Sequence, residues 1–416
     1  MNTPLGAIEK RRNAMIVCRR LFGFLAATIA VLVTSIAASS LLLGPAMAKP
    51  APSYTVTDLG TLGGTYSYGY GVNNAGVVTG GAATPNQIGG LAETAFLWHR
   101  GSITDLGTLG GPECPTCNSE TGPPNARDEV PIFSDTGKVD PNNEDFCAFG
   151  THLQCLGAIW QNGILTALTT LVGGNNDSAF GINNQGEVVG WSENGTHDST
   201  CSPSTPFQVL RYEPVKWGPN GEIHELPLLG GDTVGFAFGL NDNGEIVGST
   251  GLCSNTTLPP IVPAGQHAVL WRKDGSAIDL GNLGGPPNNV ATSINNRGEV
   301  VGTSVSSKDD NIHAFLWTQD TGMQDLGTLP GAVVTAAPCC NSINDRGEVV
   351  GFSIDGSGNI RAVQWQDKVE MDLNTLIPAD SPWYLQQASS INDVGEIVGS
   401  GLINGNVHAF LATPSR

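Results

Sequence analysis

Basic residues are scarce in this chain. Its 416 residues include 19 lysines and arginines against 38 aspartates and glutamates, a formal charge of −19. Five of those cations (Lys10, Arg11, Arg12, Arg19 and Arg20) fall in the first 20 residues, so the remainder is more acidic still. A surface of that sign repels nucleic acid and anionic lipid, and neither is expected as a partner. No G-x-S-x-G, H-E-x-x-H or P-loop pattern occurs. The usual sequence signs of an activated serine, a zinc peptidase and a nucleotide cradle are thus missing. No catalytic residue is indicated, and neither a cofactor nor a metal is expected.

Long apolar stretches are missing too, with one exception. It runs from Leu21 to Leu43 behind the basic cluster and ends in "PAMA". Ala46 and Ala48 supply the small residues that signal peptidase needs, so residues 1–48 read as a signal peptide. The rival reading is an uncleaved anchor, since the run is long enough to span a bilayer. The Arg19–Phe22 stretch matches a twin-arginine signal only in part, which leaves the export route open. Residues 49–53 form a short linker, and the exported chain is expected to be a secreted or periplasmic monomer without a stable membrane anchor.

Cys18 leaves with the signal. Cys114, Cys117, Cys147, Cys155, Cys201, Cys253, Cys339 and Cys340 remain. An even count in an exported chain reads as disulfides. Zinc or redox chemistry at Cys114–Cys117 is the alternative, but no second C-x-x-C or histidine pair accompanies it.

Three signatures cycle in fixed order. I-N-x-x-G-x-V-V-G stands at Val72–Gly80, Ile182–Gly190, Leu240–Gly248, Ile294–Gly302, Ile343–Gly351 and Ile391–Gly399, with a worn copy at Phe133–Val139. H-A-F-L-W follows, ending at Trp98, Trp160, Trp217, Trp271, Trp317 and Trp365, then as "HAFLAT" at the C-terminus. D-L-G-T-L-G-G starts at Asp58, Asp105, Ala167, Glu225, Asp279, Asp325 and Asp372. Its spacing of 46–62 residues suits a four-stranded propeller blade. Stretches such as "SAFGIN", "EVVG", "HAFLW" and "MQDLG" supply the four strands, and "NDRG" turns the first into the second. Apolar residues occupy both parities, as sheets covered on both faces require. The repeat region opens with a fourth strand at Tyr54 and closes with a third strand at His408. The expected fold is therefore all-β. It is a seven-bladed β-propeller of four-stranded blades over residues 54–413, closed by pairing of the N-terminal strand with the C-terminal blade. Residues 414–416 are a tail.

These signatures resemble the HAF-repeat family of bacterial exported proteins. His313-Ala314-Phe315 and His408-Ala409-Phe410 match its triplet fully, and His267-Ala268-Val269 in part. The likeness runs from about Tyr54 to Thr413. It implies an extracellular repeat protein and supplies no activity or catalytic residue.

Residues present in every repeat read as structural. Asn73, Asn183, Asn241, Asn295, Asn344 and Asn392 are turn caps on this reading, the alternative being a ring of side chains lining a pore. The histidine of H-A-F packs rather than ligates. Asp242, Asp345 and Asp393 belong to turns, since no EF-hand spacing surrounds them.

The departures carry the functional signal. Long connections fall at Pro112–Val130, Ser192–Arg211 and Ser249–Gln266, and all eight cysteines map to the same ring face as these loops. Cys201–Cys253 is the first expected pair, because both lie in equivalent loops of adjacent blades. Cys114, Cys117, Cys147 and Cys155 pair among themselves in an order left open. Cys339 and Cys340 form a vicinal disulfide or stay thiols. Trp383 and Tyr384 lie on that face, either stacking on a ligand or capping the core. The expected role is a non-enzymatic binding scaffold whose stapled loops meet an extracellular glycan or protein. The alternative is a secreted hydrolase of glycans or phosphate esters that uses acidic loop residues. Two carboxylates about 5–10 Å apart beside an aromatic would mark the latter.

Overall fold

The computed structural model describes residues 54–85, 93–201, 208–254, 265–339, 341–366 and 368–415. The expected signal peptide and linker, and Cys340, lie outside them. Among the described residues the structure is all-β, with only two 3-10 turns, Gly111–Glu113 and Leu373–Thr375. No helix among them is long and apolar enough to cross a membrane.

Five sheets have four strands and follow the signature order, each strand antiparallel to its neighbour. The strands Asp177–Ile182, Val188–His197, Leu210–Trp217 and Ile223–Glu225 form one of them. A sixth, eight-stranded sheet holds two such four-stranded units, joined only by a parallel pair between Ile312 and Val334. One sheet is built from both chain ends. Tyr54–Asp58 pairs antiparallel with Asn406–Pro414, Tyr54 opposite Pro414 and Asp58 opposite Phe410.

Five first strands carry a bulge at the same place, whereas Ser119–Thr121 pairs without one and Ala332–Ala336 shifts at Val333 instead. Pairing skips Tyr70, Phe180, Phe238, Thr292 and Ser389, each three residues before the turn asparagine. A bulge inserts one unpaired residue and bends the strand. It also explains the glycine of V-V-G on the partner strand. A Cβ at Gly302 would lie 1.9 Å from the carbonyl oxygen of Val290, so no larger residue fits opposite the bulge, and Ile132 holds the matching place where the first strand has none.

The second strands are buried at both parities. Val188 and Val189 are 2% and 0% exposed, and Val300 and Val301 are both 0%. Their side chains pack between neighbouring sheets. Val247, Ala268 and Leu270 of one sheet meet Ala291, Val300, Phe315 and Trp317 of the next. Burying a side chain such as Phe315 contributes about 2–3 kcal/mol. Fourth strands lie outermost and are largely exposed, as at Ser102–Asp105.

Two sequence expectations are corrected. The turn between the strands Ser119–Thr121 and Val130–Val139 is Asn125–Glu129. Phe133–Val139 is therefore second strand, not a worn turn, and Pro112–Val130 is not one connection. Asp128 takes the glycine's place at φ +59°, a conformation that Asp tolerates better than most residues. Cys339 also moves. It follows the strand Ala332–Ala336 and precedes the Ile343–Val349 bridge, so it lies within a first-strand segment and not in the loop before it.

Candidate functional site

Each I-N-x-x-G turn is organised by its asparagine. Oδ1 of Asn295 accepts the N–H groups of Arg297 and Glu299, both at 3.0 Å. Nδ2 donates to Glu299 Oε2 at 2.7 Å. Its other hydrogen reaches the carbonyl of Asn344, the matching residue of the next repeat, at 2.9 Å. The same link runs from Asn73 to Asn125, on through Asn183, Asn241, Asn295, Asn344 and Asn392, and from Asn392 back to Asn73, at 2.9–3.3 Å. The turn-cap reading thus holds, and each cap also ties one repeat to the next.

These residues border a cavity of about 150 Å³. Around its mouth the next residues form a second belt. Asn184 donates through its backbone and its side chain to Asp242, at 2.9 and 2.8 Å. Asn296 does the same to Asp345, at 2.8 and 3.0 Å. Asn74 donates to Asp393 at 2.7 Å and accepts from its N–H at 2.8 Å. The belt's carboxylates therefore accept from neighbouring amides.

The histidines of H-A-F are clasps between strands. His313, 4% exposed, bridges Asp325 at 3.0 Å and Asp309 at 3.1 Å. Burial alone would raise Asp325, but hydrogen bonds from Lys308, Gly327 and His313 outweigh it and hold that carboxyl below its usual value. His408 Nδ1 lies 2.9 Å from Asp58, tying the C-terminal strand to the N-terminal one.

Three disulfides stand where long connections leave the sheets. Cys201–Cys253 joins adjacent repeats as expected. The open pairing among the other four resolves as Cys114–Cys117 and Cys147–Cys155. Cys155 lies in a third strand, Leu153–Gln161, while Cys147 lies in the connection before it. Of the two aromatics, Trp383 is 8% exposed and meets Phe410 edge-on at 6.0 Å, so it belongs to the core and not to a ligand face. Tyr384 is 38% exposed.

A dense acidic cluster links the second and third repeats, and sequence reasoning did not find it. Asp140, Glu144 and Glu193 are 3%, 0% and 0% exposed. Glu144 Oε1 accepts from the N–H groups of Val209 and Leu210, and Oε2 from Asn142. Glu193 Oε2 accepts from Asn175 and Asn176, and Oε1 from Gln208. Burial, then the neighbouring charge of Glu144, pushes Glu193 up to about 9. Every oxygen of this pair is engaged by amides and shielded from solvent. Asp177 is buried as well, and burial pushes it up to about 8. Its place, six residues before the turn asparagine, is filled by Ser67 and Ser119 in the preceding repeats. Those hydroxyls accept an N–H from the neighbouring sheet and donate to a carbonyl, while Asp177 accepts the N–H of Gly157. Among the described residues, one triad has metal-ligand atoms close together: Asp198, Cys201 and Cys253. Both sulfurs are occupied while the disulfide stands.

No family model matches the chain, and no curated protein matches its sequence. Solved structures do. A virginiamycin B lyase from Staphylococcus aureus is similar over 86% of this chain and 99% of its own, at 11% identity and a TM-score of 0.50. A puromycin hydrolase is similar over 83% of this chain at 13% identity and a TM-score of 0.50. This chain spans about half of that enzyme, 51%. Likeness at such identities shows the fold alone: an all-β chain of four-stranded antiparallel sheets, as in β-propeller-like enzymes.

Proposed function

We propose that this chain is an exported, non-enzymatic scaffold of the HAF-repeat kind: a monomeric seven-bladed ring whose disulfide-stapled loops bind an extracellular glycan or protein. Closure is supported by the strand shared between Tyr54–Asp58 and Asn406–Pro414, and by asparagine links that return to their start. Three disulfides fit an oxidising compartment, extracellular or periplasmic. The observation that carries the binding reading concerns polar groups. The repeated asparagines and the Glu144–Glu193 pair spend their hydrogen-bonding capacity on the chain itself, whereas the long connections stand on a rigid frame, the usual place for recognition.

The test is a glycan array probed with the chain from residue 49 onward, with product analysis on the same glycans. Retention without turnover is expected, weakened by shortening the 140–152 connection and unchanged by Asn74→Ala on the turn belt. Cleavage of any retained glycan would sink the scaffold reading in favour of a hydrolase. Retention lost through Asn74→Ala alone would move the site to the opposite face.

A further inference from the structure

The triad of Asp198, Cys201 and Cys253 joins two connections. Asp198 and Cys201 follow the strand Val188–His197, and Cys253 follows Ile246–Gly251. The carboxylate oxygen and both sulfurs lie within 4.8 Å of one another. Asp198 is 0% exposed. Its Oδ1 accepts from the N–H and the hydroxyl of Thr200, at 2.7 and 2.8 Å. The Oγ1 of Thr200 in turn accepts the N–H of Cys253 at 3.1 Å, which fixes one connection against the other. Among the described residues, Oδ2 of Asp198 has no hydrogen-bond donor. Among the described residues the cation that faces it is Arg211, whose Nε stands 3.9 Å away on a side chain 37% exposed. A buried carboxylate beside two sulfurs, with one oxygen facing a half-exposed arginine and no hydrogen-bond donor among the described residues, is the donor set a soft cation takes once the staple is opened.

We propose that reduction of Cys201–Cys253 opens a site for a thiophilic divalent cation such as zinc, held by the two thiolates and the Asp198 carboxylate. The disulfide takes up two electrons and two protons to give two thiols. A dithiol supplies them and closes to its own disulfide; a phosphine does so by leaving as its oxide with the oxygen of a water. The metal then displaces both thiol protons. Tetrahedral zinc sets its sulfur and oxygen ligands about 3.5–3.8 Å apart, given bonds of roughly 2.0–2.3 Å. Once the S–S bond is gone the two sulfurs separate from bonded contact, and the carboxylate oxygen closes by about 1 Å toward them, both movements within side-chain rotation. Charge favours the metal over the empty dithiolate. Two thiolates beside a buried carboxylate repel one another, and a divalent cation cancels most of that charge. Cys201 is half-buried, which leaves a side for water as the fourth ligand. Arg211 swings to solvent as the cation enters.

The test is an anaerobic cobalt(II) titration of the chain from residue 49, reduced with a phosphine, in a Cys114→Ser/Cys117→Ser background that removes the C-x-x-C pair. One cobalt per chain is expected, with thiolate-to-cobalt charge-transfer bands and the strong visible bands of tetrahedral cobalt. Asp198→Asn weakens uptake by about tenfold or more. Cys201→Ser/Cys253→Ser abolishes the bands, and the oxidised chain shows none. The proposal is overturned if the reduced chain gives no such bands, if Asp198→Asn binds as tightly as its parent, or if circular dichroism shows that reduction unfolds the sheets.

Discussion

The side-chain amide of Asn392 donates to the backbone carbonyl of Asn73 at 2.9 Å, across 319 positions of sequence. The same side chain caps its own turn through the N–H groups of Val394 and Glu396, and donates to Glu396 Oε2. One residue therefore serves a local turn and a contact between the two ends of the repeat region.

Asn392→Ala removes all four bonds and leaves two turn N–H groups without acceptors. A fully buried orphaned donor costs about 1–3 kcal/mol, but both N–H groups here are only part-buried, so a loss of about 1–3 kcal/mol in total is expected. Urea unfolding of the variant against its parent measures it. A loss below about 1 kcal/mol would mean that water replaces the amide and that the links between repeats contribute little.

Deleting residues up to Asp58 removes the strand opposite Asn406–Pro414 and exposes that edge. Exposed edges pair with other chains. A lower melting temperature and concentration-dependent self-association are expected, read by size-exclusion chromatography. A truncated chain that stays monomeric and melts with its parent would show that the shared sheet contributes little to stability.

Asp177 gives a pH signature. Burial raises its folded pKa to about 8, far above the ordinary aspartate value near 3.8. The fold therefore favours the protonated acid. That contribution is full below the unfolded value and is lost as pH rises through the folded one. Stability should decline between about pH 4 and pH 8. Asp177→Ser, which copies Ser67 and Ser119, should flatten this slope and raise stability near neutral pH. Chemical denaturation midpoints across that range decide it; an unchanged slope in the variant would assign the decline to other groups, Glu193 first.

The disulfides should differ in worth. Their sequence separations are 3, 8 and 52 residues for Cys114–Cys117, Cys147–Cys155 and Cys201–Cys253. Loop-closure entropy then ranks the losses on paired Cys→Ser replacement at about 2, 2.6 and 4 kcal/mol. Thermal unfolding of the three double variants gives the order. If Cys201→Ser/Cys253→Ser costs the least, strain or residual unfolded structure outweighs chain entropy at that pair.

Much of the architecture is written in the repeat. The β-branched runs, the Asn-to-Gly turns and the order of signatures at the two ends already imply four-stranded antiparallel units and a sheet shared between termini. Cys201 and Cys253 could be matched because equivalent loops of adjacent repeats lie side by side. The turn at Asn125 was missed because Asp128 stands where every other copy has glycine, and a pattern keyed to glycine passes over a residue that also reaches positive φ. "PNARDEV" still keeps the asparagine four residues before a glutamate, the spacing that lets Asn125 donate to Glu129. Cys339 was misplaced because extra residues lengthen one first strand, so counting from the neighbouring signature shifts it into the loop.

What the sequence determined alone is local and periodic: hydrophobic parity, turn chemistry and repeat length are properties of neighbouring residues. What only the tertiary structure decided depends on which distant groups share a volume. Trp383 became core because Phe410 packs against it, and the pKa of Asp177 rose because burial removed its water. Asp198 became a candidate ligand because two loops set both sulfurs within 4.8 Å of its carboxylate. Desolvation and long-range contact have no period, and a repeat therefore cannot announce them.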